Sequence, residues 1–90
     1  MTDVVGNPKE LRSFASNLKQ FNGQLRDSMS RLQGQFARLG DTWRDQEHQK
    51  FAQEFEQTMR LLHNFVQTTN AHILFLQRKA QKLYDYRSQP

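Results

Sequence analysis

The chain has 90 residues, 36% of them apolar and none of them cysteine, and its 13 basic and 9 acidic side chains leave a net charge of +4. This length bounds the chain to one small domain, and a thin helical pair of this size buries too little alone, so association is the expected remedy. The missing cysteines exclude a disulfide framework and a thiolate zinc site, while twelve glutamines make the surface hydrophilic without strong charge.

The first residues, Met1-Thr2-Asp3-Val4-Val5-Gly6, have neither the length nor the basic flank of a signal peptide, which predicts a soluble chain that does not take the general secretory route. A first helix is predicted over about Pro8 to Leu39. Asn7 can cap it, Pro8 suits its first turn and Glu10 can reach back to the cap. Leu11, Phe14, Leu18, Phe21, Leu25, Met29, Leu32, Phe36 and Leu39 step by threes and fours, with a mean near 3.5, the spacing of a coiled-coil seam. Ser16, Gly23, Ser30 and Ala37 recur on another side, read as a tolerant solvent face. Asp27 and Arg31 are placed for an ion pair one turn apart. Gly40 supplies the stop, free to adopt the left-handed conformation.

A turn over residues 40–45 follows, then a second helix from about Asp45 to Arg87, capped by Asp45 or Asp41. Its seam is Phe51, Phe55, Thr58, Leu62, Phe65, Thr69, Ile73, Leu76, Ala80 and Leu83. Met59, Val66 and Tyr84 widen this seam on one side, and Leu61, Phe75 and Tyr86 widen it on the other, so one hairpin partner cannot cover it. The expectation is an all-α, antiparallel two-helix hairpin that dimerises into a four-helix bundle. Leu61, Phe65, Phe75, Leu83 and Tyr86 are its candidate dimer or partner interface, and the longer second helix should overhang the first around Leu83 to Arg87. The longest apolar run, Ile73-Leu74-Phe75-Leu76, is far short of the ~20 residues that span a bilayer.

No catalytic constellation is present in the sequence. His48, His63 and His72 never fall one turn apart, Glu54 and Glu56 point to different faces, and no glycine-rich loop follows a strand, so catalysis, a metal and a cofactor are not expected. The acidic residues Glu47, Glu54 and Glu56 near the start of the second helix and Arg78, Lys79, Lys82 and Arg87 near its end complement the helix dipole. The same four cations are the candidate contacts for a polyanion.

Between the two seams lies Leu39-Gly40-Asp41-Thr42-Trp43-Arg44-Asp45, with the chain's one tryptophan at the bend, followed by Phe51 and Phe55. Two amphipathic helices joined by a tight turn with Trp-x-Gly describe a known family, and this chain resembles those small WXG-motif proteins of the bacterial type VII (Esx) secretion system over nearly its whole length. The resemblance implies an antiparallel hairpin dimerising with itself or with a sister WXG-like protein, export without a signal peptide, contact with the secretion machinery, and Trp43 and Asp45 as the motif positions. Asp45 stands where the family has its glycine. The family's export tail, Tyr followed four residues later by Asp or Glu, is not matched: Ser88 follows Tyr84 and Pro90 follows Tyr86 at that distance. The leading expectation is therefore a non-enzymatic, exported or secretion-associated protein acting through protein contacts. The alternatives are a cytoplasmic basic hairpin dimer binding RNA or DNA, and a membrane-active or filament-forming hairpin; nucleic acid and membrane are both disfavoured as partners.

Overall fold

The computed structural model describes residues 6–88 as two antiparallel helices, α1 (Pro8–Leu39) and α2 (Gln46–Ser88), in a rod measuring 69 × 21 × 17 Å. Asn7 caps α1 as its sequence predicts, its Oδ1 accepting from the Lys9 and Glu10 amides at 2.9 and 3.4 Å. Of the two candidate caps for α2 it is Asp45 that serves, its Oδ1 accepting from the His48 amide at 2.9 Å. Gly40 is not left-handed; its φ is −65°. The Asp41, Thr42 and Trp43 amides donate to the Arg38 and Leu39 carbonyls, so tightened turns satisfy the end of α1 and no left-handed residue is needed. Positive φ occurs instead at Gly6, at 121°, where a Cβ would lie 3.1 Å from Leu83 Cδ1.

The seam is a heptad seam, centred one residue away from the most apolar positions of α1. Its central line there is Pro8, Ala15, Asn22 and Met29, all buried and seven residues apart. Phe14 and Phe21, expected inside, are instead 59% and 50% exposed. The facing line on α2 is Met59, Val66, Ile73 and Ala80, with Thr69 and Leu83 buried beside it. Met59 and Val66, expected at the margin, are thus central, while Thr58 and Phe65 lie outside. Size explains the shift. Alanine and asparagine let the two backbones approach closely, and a phenylalanine on the same line would hold them apart.

Midway along the seam sits a polar layer. Asn22 Nδ2 donates to Thr69 Oγ1 at 2.7 Å and to Asn70 Oδ1 at 3.1 Å, and the Thr69 hydroxyl donates back to the Phe65 carbonyl at 2.8 Å. Asn22 Oδ1 is buried without a partner, which costs stability but ties α1 to one register on α2.

At the open end, Leu83 of the expected overhang is buried, while Tyr84 and Tyr86 beyond it stay exposed. Leu83 packs against Gly6, and Arg87 Nη2 donates to the Gly6 carbonyl at 2.8 Å. Arg31 also departs from expectation: it donates to Ser28 Oγ at 3.1 Å rather than pairing with Asp27. Among the described residues the ion pair is Glu56–Arg60, at 2.7 Å and exposed, worth a few tenths of a kcal/mol.

The polar layer yields a prediction. Thr69→Val removes an acceptor from the buried Asn22 amide and should cost about 1 kcal/mol in urea unfolding. Asn22→Leu with Thr69→Val replaces both partners by apolar groups of similar shape, and should recover that loss or exceed it. Amide exchange across the seam should then be faster in the double variant than in the parent, through loss of a fixed register.

Candidate functional site

Two features of this hairpin can serve recognition: the bend and its exposed flanks. At the bend, the Trp43 amide donates to the Leu39 carbonyl at 3.0 Å, which turns the indole back over the start of α2. Arg44 Nε closes the same turn by donating to the Gly40 carbonyl at 2.8 Å. Trp43 meets the His48 ring edge-on at 5.0 Å and lies tilted on Phe51 at 6.0 Å. Phe36 completes the cluster from α1, stacked on His48 at 5.3 Å and on Phe55 at 4.9 Å. These rings cap the seam where α1 stops. His48 is half-buried with Nε2 unpartnered, and His63 and His72 are exposed. No group of three or more His, Asp or Glu that could hold a metal occurs among the described residues.

The flanks are unlike one another. Positions one residue before the central line carry Phe14 and Phe21 on α1 and Phe51 and Phe65 on α2, and the Phe21 and Phe65 rings touch edge to face at 6.1 Å. Toward the bend, Leu32, Leu39 and Phe51 continue the same apolar surface beside Phe36 and Phe55. Leu61 and Phe75, 69% and 66% exposed, extend it outward on α2. This is a contiguous apolar surface on a small chain, of the kind that marks a protein contact. The opposite flank carries Arg12, which donates to Gln81 Oε1 at 2.9 Å and lies 5.6 Å from the Tyr84 ring centroid.

Of the residues expected at a partner interface, Leu61, Phe65, Phe75 and Tyr86 are exposed, whereas Leu83 is 6% exposed and belongs to the hairpin's own seam. Phe14 and Phe21 join that surface, although the sequence pattern assigns them to the interior. Their neighbours Ala15 and Asn22, small and polar, carried the only hint. Of the four cations, Arg78, Lys79 and Lys82 stand three and four residues apart on one exposed side of α2, while Arg87 Nη2 donates to the Gly6 carbonyl and so lies apart from them. None of the described helices is long and apolar enough to cross a membrane.

This geometry has close counterparts among solved structures. A selenomethionine-labelled crystal structure of the secreted protein EsxB from Bacillus anthracis str. Sterne superposes with a TM-score of 0.81 at 25% identity, covering 98% of this chain and 100% of that one. A wild-type EsxB structure from the same organism gives 0.81 at 26% identity, over 94% of this chain and 99% of that one. No curated protein sequence matches this chain at a significant level. The model of the WXG100 family, proteins of 100 residues with WXG, matches residues 5–86.

In that motif Trp43 is kept and Asp45 replaces the glycine. No residue of the bend has positive φ, so the position asks only for an N-cap, a task both residues perform. Asp45→Gly should therefore cost only a few tenths of a kcal/mol in urea or thermal unfolding, and Asp45→Ala about 1 kcal/mol. A match over nearly the whole length, a conserved hairpin and the tryptophan at its bend lead to one assignment: the chain belongs to the WXG100 family of non-enzymatic, Esx-like helical hairpins.

Proposed function

We propose that this protein is a substrate of a type VII (Esx-like) secretion system and acts through protein contacts as an antiparallel homodimer, a four-helix bundle. The observation that carries the reading is the apolar flank of Phe14, Phe21, Leu61, Phe65 and Phe75, which the hairpin leaves exposed. Likeness to secreted EsxB supports export. A sister WXG-like chain bearing the acidic export tail is the partner that could replace the second copy, and the secretion machinery is the further contact.

Charge favours a second copy, and favours it inverted. Along the outer edge of the apolar flank, α2 carries Glu47 and Glu54 toward the bend, Leu61, Phe65 and Phe75 in the middle, and Lys79 and Lys82 toward the open end. A two-fold axis near Phe65 brings Glu47 opposite Lys82 and places Glu54 beside the Phe75–Lys79 turn of the partner. An isologous interface of this kind needs such self-complementarity. The parallel arrangement would set like charges against each other at both ends.

Size-exclusion chromatography with light scattering should give a dimer at micromolar concentration. Phe21→Glu combined with Phe65→Glu should weaken dimerisation by at least about 30-fold, since a central aromatic contact contributes about 2 kcal/mol or more. A stable, well-folded wild-type monomer under those conditions refutes the bundle. Export is tested by culture supernatants of a strain with a type VII system and of its deletion mutant in the system's ATPase. Equal amounts of protein inside both strains and none outside either would refute the secretion half.

A further inference from the structure

The flank opposite the apolar one carries the chain's unbalanced charge. Positions one and four residues after the central line hold Lys9, Arg12, Lys19 and Arg26 on α1 and Arg60 on α2, against the single carboxylate of Glu56. Glu56 is already paired with Arg60 at 2.7 Å. Among the described residues no carboxylate pairs with Lys9, Arg12, Lys19 or Arg26, and these four cations equal the chain's whole net charge of +4. Elsewhere acids and bases balance.

Arg12, Lys19 and Arg26 form a straight row, seven residues apart and therefore ~10.5 Å from one to the next. Beside the row the helices enclose a trough. One part, of about 440 Å³, is lined by Arg12, Ser16, Lys19, Gln77 and Gln81. Its neighbour, of about 260 Å³, is lined by Lys19, Asn70, Ile73, Leu74 and Gln77, with Leu74 half exposed. Cations at heptad spacing, an apolar side chain between them and amides along the far wall define the ligand's chemistry.

The geometry points to an acidic amphipathic helix of a partner protein, bound lengthwise in this trough. Carboxylates seven residues apart on such a helix repeat at the same ~10.5 Å as the cation row, and an apolar residue on the same face meets Leu74. Duplex nucleic acid fits less well. Its phosphates follow a curved path at closer spacing, and nothing in a backbone of phosphate and sugar matches an exposed leucine. An anionic bilayer presents a plane, whereas Lys19, Leu74 and Gln77 line a trough. The site lies on the side away from the proposed dimer contact, so it is available whether the protein is one copy or two.

The test uses the full chain and a synthetic, fluorescein-labelled helical peptide about four heptads long, with glutamates seven residues apart and leucines between them. A second peptide has the same composition in shuffled order. Anisotropy titrations at low salt should show saturable binding of the first peptide and at least about tenfold weaker binding of the shuffled one. Arg12→Gln, Lys19→Gln and Arg26→Gln together should weaken binding about tenfold, the sum expected of three exposed charge pairs. Lys19→Gln with Arg26→Gln, which leaves the Arg12 contacts to Gln81 and Tyr84 intact, should still weaken it several-fold, and Leu74→Ser should do so without changing charge. The proposal is overturned if the ordered peptide does not bind, if the charge variants bind it unchanged, or if the shuffled peptide, a short DNA duplex or phosphatidylserine vesicles bind as tightly. These results are read from peptide affinity alone and stand apart from dimerisation and export.

Discussion

Close approach of two helices along a single seam governs the rest of this molecule. With one neighbour per helix, only the central line of each can be buried, and the residues on that line set the separation of the backbones. Pro8, Ala15, Asn22 and Met29 on α1 face Met59, Val66, Ile73 and Ala80 on α2. Ala15 and Ala80 are the buried residues of the open half, and Met29 and Met59 those toward the bend, where the aromatic cluster takes over. The phenylalanines Phe14, Phe21 and Phe65, too large for the line, stand beside it on one side. The apolar flank is therefore a consequence of seam packing rather than a separate feature added to it.

The same constraint explains why polar atoms occupy the middle of the seam. A two-helix rod with uniform apolar lines could slide by a heptad and still bury similar surface. Asn22 meets Thr69 and Asn70 in only one alignment, at 2.7 and 3.1 Å. The bend acts in the same sense from one end. Phe36 touches His48, Phe51 and Phe55 around Trp43, and any slip would pull Phe36 out of that group. Register is thus fixed at two points, which matters for a protein whose function lies in the faces it presents.

Much of this was readable from the residues alone. The two helices, the Asn7 cap, the cap at Asp45 and the bend around Trp43 all rest on local rules of spacing and hydrogen bonding, which do not depend on distant packing. What escaped was the phase of the seam on α1. Phe14 and Phe21 outweigh Ala15 and Asn22 in any reading by hydrophobicity, yet the choice between adjacent lines belongs to the partner helix and to how near it comes. Leu83, which the spacing puts in the seam and the width of the stripe puts at a partner surface, proves to be buried: nothing local announces that Gly6, in a positive-φ conformation at 121°, lies against it. Gly40 illustrates the converse, a residue whose special conformational freedom is not used, because successive amides after Leu39 satisfy the end of α1.

The motif tryptophan takes its meaning from this arrangement. Trp43 lies where α1 has ended and α2 still needs a neighbour, so its ring substitutes for the missing turn of helix. The residue two positions on has a different task, starting α2, and aspartate does it with a side-chain oxygen where glycine does it by exposing the backbone to water. The two positions are therefore unequally replaceable: many residues can cap a helix, but few can cover the end of an aromatic seam. With both ends of the rod closed in this way, the sides are left to carry recognition. One is apolar and aromatic, and the other carries Lys9 beside the straight row of Arg12, Lys19 and Arg26. A hairpin so divided can make a contact through the first side without hiding the second, because the seam that joins its helices lies between them.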